Sequence, residues 1–134
     1  MIFKFLLLSF ILYASHFQVL ACFLPRSNFS IYVINNLPPN TEPLRLHCAS
    51  KDNDLGIQTL RINQEFEFEF CLVPFITLFF CRFQWGLLDK GFDVFDAKHI
   101  PCTHHKCYWS ARTDGIYFLQ DNNPNNFVKK IDWD

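Results

Sequence analysis

Glycine, methionine and clustered basic charge are what this sequence has least of. Four glycines and one methionine in 134 residues leave no room for collagen-like repeats or glycine-rich linkers. Lysines and arginines are scattered, and the formal net charge is −1. Nucleic-acid binding needs clustered cations to displace counterions, so that class is excluded. Helical periodicity is missing too, because apolar residues alternate rather than recur every three or four positions. There is no Gly-x-Ser-x-Gly elbow and no compact pair of carboxylates, which removes the common signatures of serine hydrolases and glycosidases. The length allows one ordinary domain.

Apolar and aromatic residues take up the difference. Half of the chain is hydrophobic, and 17 residues are Phe. Part of this excess lies at the N-terminus. Lys4 supplies a positive start, and residues 5–20 run apolar with Ser9, Ser15, His16 and Gln18 as interruptions. Val19 and Ala21 place small side chains where a signal peptidase reads them. The pattern predicts a secretory signal peptide over residues 1–21, cut after Ala21, and a mature domain over residues 22–134 that begins at Cys22. A membrane anchor is disfavoured by the short, polar-interrupted run, and no second long apolar run follows, so membrane insertion of the mature chain is not expected. Six cysteines in an exported chain are expected to form disulfides. Asn28-Phe29-Ser30 is the only N-glycosylation sequon, which makes Asn28 the candidate acceptor.

The strand pattern is organised around Thr77-Leu78-Phe79-Phe80-Cys81-Arg82-Phe83-Gln84-Trp85. At period two, Thr77, Phe79, Cys81, Phe83 and Trp85 share a face, predicting a central buried strand with Trp85 in the core. Residues 65–70 alternate most cleanly, with three glutamates outward and three phenylalanines inward. Further strands are read at residues 29–35, 44–48, 92–96, 107–111 (with Trp109 as a second core tryptophan) and 116–119. Residues 57–62 read as a weak strand or irregular connection, and residues 127–133 offer one more strand. A short turn through Leu72-Val73-Pro74 leads into the central strand, and Asp114-Gly115 marks a hairpin. Seven or eight short strands predict an all-β fold, a small disulfide-stapled immunoglobulin-like β-sandwich.

Three constellations invite a chemical reading. Cys102, His104, His105 and Cys107, with His99 nearby, are zinc-ligand types. Their spacing matches no finger or ribbon, and an oxidising compartment favours disulfides. Asp52, Asn53, Asp54 and Gly56 look faintly like the start of a calcium loop, but Gly56 falls on a ligand position and no correctly spaced glutamate follows. A turn with Asx hydrogen bonds and Gly56 at positive φ is the better reading. Such a loop is exposed, so Lys51, Asp52, Asn53 and Asp54 form a candidate recognition loop. His47 alternates outward beside Cys48, as a surface or packing residue rather than a base. No catalytic residue, metal or cofactor is expected.

Several segments together resemble a known family. They are Val33-Ile34-Asn35-Asn36-Leu37, the run from Leu46-His47-Cys48 through Ser50-Lys51-Asp52-Asn53-Asp54-Leu55-Gly56, Phe66-x-Phe68-x-Phe70, Thr77-Leu78-Phe79-Phe80-Cys81-x-Phe83-x-Trp85, and Cys102-x4-Cys107-Tyr108-Trp109 followed by Asp114-Gly115-Ile116-Tyr117. In order and spacing the chain resembles the plant self-incompatibility S-protein homologue family over essentially its whole mature length. The resemblance implies a small secreted β-sandwich with four framework cysteines, Cys48, Cys81, Cys102 and Cys107, without enzymatic activity or cofactor. It also implies a cell-surface receptor protein as partner, because the founding members are stigma-borne ligands read by a pollen membrane protein that stops the growth of self pollen. Cys22 and Cys71 fall outside that frame, and Asn63 stands where a Gly commonly opens the Phe-x-Phe-x-Phe strand.

Within the frame, Cys48–Cys107 with Cys81–Cys102 is the preferred pairing, by analogy with the inter-sheet bridge of immunoglobulin-like sandwiches. The rival is Cys102–Cys107 with Cys48–Cys81, and Cys22 and Cys71 either form a third bridge or stay free. The expected function is that of a secreted, extracellular, monomeric recognition or signalling ligand. It would act through loops at residues 35–41, 50–56, 86–91 and 97–106. A secreted defence module, either an enzyme inhibitor or a carbohydrate binder, is the alternative.

Overall fold

A computed structural model describes Cys22, residues 27–120 and residues 123–134. The expected signal peptide, residues 1–21, lies outside the described residues, as do residues 23–26 of the leader. Nine strands and no helix occur among the described residues: β1 (Asn28–Asn35), β2 (Leu44–Ala49), β3 (Asp54–Leu60), β4 (Glu65–Cys71), β5 (Leu78–Trp85), β6 (Leu88–Asp96), β7 (Lys106–Arg112), β8 (Gly115–Leu119) and β9 (Phe127–Ile131). They form two sheets, one ordered β4-β1-β7-β8-β9 and the other β3-β2-β5-β6. The all-β sandwich is therefore present, with the weak segment before residue 62 and the last segment both formed as strands. One pair, β1 with β7, is parallel; the other neighbours run antiparallel.

Alternation decides which side chains enter the core. Ile31 and Val33 of β1, Phe68 and Phe70 of β4, and Trp109 and Ala111 of β7 face Leu44, Leu46, Phe79 and Phe83 of the other sheet. In β6 the pairing slips between Phe79 and Phe80 of β5, so Phe79 meets Phe95 while Phe80 meets Asp93. That bulge inserts one residue and lets the successive Val94 and Phe95 both be buried, which strict alternation forbids. Among the described residues, two buried side-chain hydrogen bonds link strands of the two sheets. Trp109 Nε1 donates to the Val94 carbonyl at 3.2 Å, and buried Asn35 donates to the Leu60 carbonyl at 2.9 Å while accepting from the Leu37 amide.

Four sequence expectations need correction. Trp85 is only partly buried. It ends β5, where the sandwich opens, and its Nε1 donates to Thr41 Oγ1 at 3.3 Å while its ring lies 6.2 Å from that of Trp133. Of the expected loop at residues 86–91, only Gly86 and Leu87 form the turn, because β6 begins at Leu88. Likewise Asp54, Leu55 and Gly56 belong to β3 rather than to the loop before it.

The fourth correction concerns the preferred disulfide pairing. The bridges are Cys48–Cys81, Cys102–Cys107 and Cys22–Cys71. Cys48 and Cys81 lie directly opposite one another on neighbouring strands of one sheet, with Cα atoms 4.0 Å apart. Cys107 points inward from the other sheet, and the chain bends back at His104 and His105, both at positive φ, to bring Cys102 within 5.1 Å of it. No bridge joins the two sheets' inner faces as the immunoglobulin analogy expected.

Candidate functional site

Each strand from β1 to β7 crosses the length of the sandwich and the chain then reverses, so the connections segregate to two ends. At one end lie residues 36–43 and 61–64, the Gly86-Leu87 turn and the Thr113-Asp114 turn. At the other lie residues 50–53, 72–77 and 97–105, together with Asn28 and the bridges Cys22–Cys71 and Cys102–Cys107. The four expected recognition loops are thus divided, two to each end. Residues 50–53 and 97–105 share theirs with the turn before β5, which was not among the expected recognition loops.

Residues 50–53 close the β2–β3 hairpin. The Ser50 amide donates to the Asn53 carbonyl at 2.8 Å, and the Asn53 amide donates to Ser50 Oγ at 3.2 Å. Lys51, Asp52, Asn53 and Asp54 are all exposed. Asp54 fastens the hairpin: its Oδ1 accepts from the Gly56 amide at 2.9 Å and lies 2.5 Å from His47 Nε2. The Gly56 amide first, and His47 second, hold the Asp54 carboxyl below the usual carboxylate range. Gly56 takes φ +75°, the Asx turn and left-handed glycine read from the sequence. His47 is exposed and acts as this clasp.

That turn is apolar and runs further than residues 72–74, through Leu72-Val73-Pro74-Phe75-Ile76-Thr77. The Val73 carbonyl accepts from the Ile76 and Thr77 amides, and Thr77 Oγ1 accepts from the Val73 amide. Phe75 has φ +65° and is 75% exposed, as is Ile76. A bulky side chain at positive φ is a genuine outlier, and such outliers cluster at functional sites. The available signal was an apolar run inside a turn, where polar residues are usual. The Ala97 amide donates to the Thr77 carbonyl and so ties this turn to residues 97–105.

In that third loop Cys102 and Cys107 are bonded to one another and His105 stacks on Phe29 with ring centroids 4.3 Å apart. His105 Nδ1 lies 3.1 Å from the carbonyl oxygen of Asn28. Of the residues weighed as zinc ligands, Cys102 and Cys107 form a bridge, His105 is packed, and His99 and His104 are exposed; no metal-holding group of His, Cys, Asp and Glu occurs among the described residues. Asn28 itself is exposed at the start of β1.

A cleft of about 1010 Å³ runs between residues 50–53 and the 72–77 turn and along β4. Phe68, Phe70 and Phe79 form its floor, and Lys51, Asp52, Glu67 and Glu69 are its charged lining residues. Burial and the neighbouring Glu67 push the Glu65 carboxyl up. Burial, followed by the Glu67 charge, pushes the phenol of Tyr32 up to about 12. A disulfide-closed scaffold thus presents loops and an open cleft.

Comparison with known proteins gives the family. The family model described as plant self-incompatibility protein S1 matches residues 30–133. S-protein homolog 18 of Arabidopsis thaliana is 41% identical over 71% of this chain and 72% of the relative. S-protein homolog 29 of the same plant is 34% identical over 81% of this chain and 76% of the relative. A solved structure from the self-incompatibility protein homologues, a widespread family of small, highly stable, secreted plant proteins, superposes with a TM-score of 0.65 at 25% identity, covering 80% of this chain and 95% of that one. The match runs from β1 to beyond β9 and takes in both sheets, and the chain accordingly belongs to the plant self-incompatibility protein S1 family.

Proposed function

We propose that this secreted protein is a non-catalytic recognition or signalling ligand, read by a receptor protein on the surface of another cell, in the manner of stigmatic self-incompatibility proteins. The observation that carries this reading is the loop end of the sandwich. Residues 50–53, 72–77 and 97–105 converge there, with Phe75 and Ile76 exposed, on a frame held by three disulfides. Loops on such a frame can change their chemistry without disturbing the core. The mature chain on this reading starts at Cys22, whose bridge to Cys71 requires that cleavage leave it in place. Asn28 would carry a glycan at the same end, and intact-mass analysis of the secreted protein checks both points.

The test of function is a swap. Labelled protein should bind intact target cells saturably and elicit a response. Exchanging the three loops for those of S-protein homolog 18 should redirect that binding while thermal stability stays the same. Binding that follows the strands would refute the loop assignment. Saturable binding to an isolated hydrolase or glycan, with none to cells, would favour the defence module instead.

A further inference from the structure

The edge of the five-stranded sheet offers a more specific chemistry. β4 pairs with β1 on one side, and no described strand pairs with its other side. The ladder's parity says which backbone groups are left over. The Asn35 amide bonds to the Gln64 carbonyl at one end, and the Leu72 amide to the Ser27 carbonyl at the other. In an antiparallel pair every second residue exchanges both bonds with its partner and the residues between turn theirs away. Phe66, Phe68 and Phe70 therefore bond to β1, while Glu65, Glu67 and Glu69 direct their amides and carbonyls to the free edge.

The side chains set what can lie against that edge. Phe68 and Phe70 floor the cleft, with Ile76 and Leu78 beside them, both exposed. On the outward face Glu65, Glu67 and Glu69 follow at every second position. Asp52 adds a further acid to the cleft, against Lys51 as the one cation among its lining residues. An added strand repeats the alternation of the strand it joins, with side chains opposite one another on each face.

We propose that β4 and its cleft accept an extended peptide segment of a partner protein in which basic and apolar residues alternate, added as a tenth strand. Its apolar side chains pack over Phe68 and Phe70, its lysines or arginines stand opposite the glutamates, and its main chain bonds to that of Glu65, Glu67 and Glu69. A second copy of this chain is a poor occupant, because pairing β4 with β4 sets glutamate against glutamate. The crowding of Glu65 by Glu67 is relieved by a cation and worsened by an acid. This inference rests on the reading of the chain as a binding protein and supplies the chemistry of a partner segment.

The probe is a capped eight-residue peptide of alternating lysine and valine, titrated into the intact secreted protein. The controls are its alternating glutamate–valine counterpart and a peptide of four lysines followed by four valines. The lysine–valine peptide should bind saturably and slow hydrogen exchange at the amides of Glu65, Glu67 and Glu69. Both controls should bind at least about tenfold more weakly. Glu67→Gln/Glu69→Gln should weaken the alternating peptide by about tenfold while leaving the fold intact. Three results would overturn the proposal: equal binding of the alternating and block peptides, protection elsewhere, or β4-edge amides already slow to exchange in the free protein. Loss of peptide binding with cell binding retained removes this inference alone, whereas loss of cell binding with the peptide still bound removes the ligand reading.

Discussion

Removing Cys48–Cys81 tests whether the bridges act on the unfolded chain. The perturbation is Cys48→Ala with Cys81→Ala, so that no lone thiol remains. The bridge joins residues 33 apart in sequence, and the chain-entropy estimate for such a loop is about 3.7 kcal/mol. Neither cysteine is solvent-exposed, and each lost sulfur leaves a small void costing about 1 kcal/mol. The double variant should thus lose about 6 kcal/mol, a large part of the roughly 5–15 kcal/mol a domain of this kind holds. Cys102→Ala with Cys107→Ala is the comparison. That bridge joins residues 5 apart, which gives about 2 kcal/mol from the same estimate. Cys107 is buried and Cys102 only partly so, which brings the expected total to about 3 kcal/mol. Equilibrium guanidinium unfolding followed by tryptophan fluorescence measures both. The m-value should also rise, more for the longer loop, because an uncrosslinked unfolded chain exposes more surface. A short-loop variant that loses as much stability as the long-loop one, or m-values unchanged in both, would refute the reasoning.

Two further outcomes follow from the core and from the clasp. Trp109→Ala should cost roughly 3–5 kcal/mol, since its ring packs between Phe92 and Phe118 and its Nε1 is bonded to Val94. Trp85→Ala should cost less than half of that, and equal losses by denaturant titration would contradict the rim position of Trp85. Asp54 should titrate below the ordinary aspartate value of about 3.9, because the Gly56 amide and His47 favour its charged form. Its folded value is depressed, so the fastening of residues 50–53 is complete above the ordinary range and is lost as the pH falls through the lowered value. An NMR titration that finds the Asp54 midpoint at or above the ordinary value would contradict the clasp.

What could be read in the sequence was whatever depends on period two and on turn chemistry. Leu44, Leu46 and Cys48 point inward and Arg45 and His47 outward because alternation leaves no other arrangement once one face is buried. Phe68, Phe70 and Trp109 followed by the same rule. Asn63 takes φ +62°, the left-handed slot for which glycine is the usual choice and asparagine the next. The disulfide pairing was not legible, because inward-facing cysteines on different strands look alike until strand order is known. Cys48–Cys81 depends on β2 lying beside β5, which no local pattern encodes. Trp85 was misread because alternation gives a direction but not how far the opposite sheet reaches. The turn before β5 was legible at Leu72-Val73-Pro74, but its reach to Thr77 and its exposure were not, because Phe75 and Ile76 look like core.

The two ends of the sandwich handle backbone strain differently. At one end positive φ falls on Asn40, Asn63 and Gly86, residue types that tolerate it. At the other it falls on Phe75, His104 and His105 as well as on Gly56. An aromatic residue held in the left-handed region costs on the order of 1–3 kcal/mol and persists only where its surroundings over-determine it. Those surroundings include covalent links beside the hydrogen bonds of the 72–77 turn. Cys71, bridged to Cys22, stands four residues before Phe75, and Cys102–Cys107 encloses both histidines. A small domain has limited core to spend on holding loops in disfavoured shapes, and cross-links placed beside those shapes hold them without it. Loops fixed in advance lose less freedom when a partner docks. The placement of two of the three bridges at the end that carries Phe75 and residues 50–53 is therefore itself an argument for that end as the binding end.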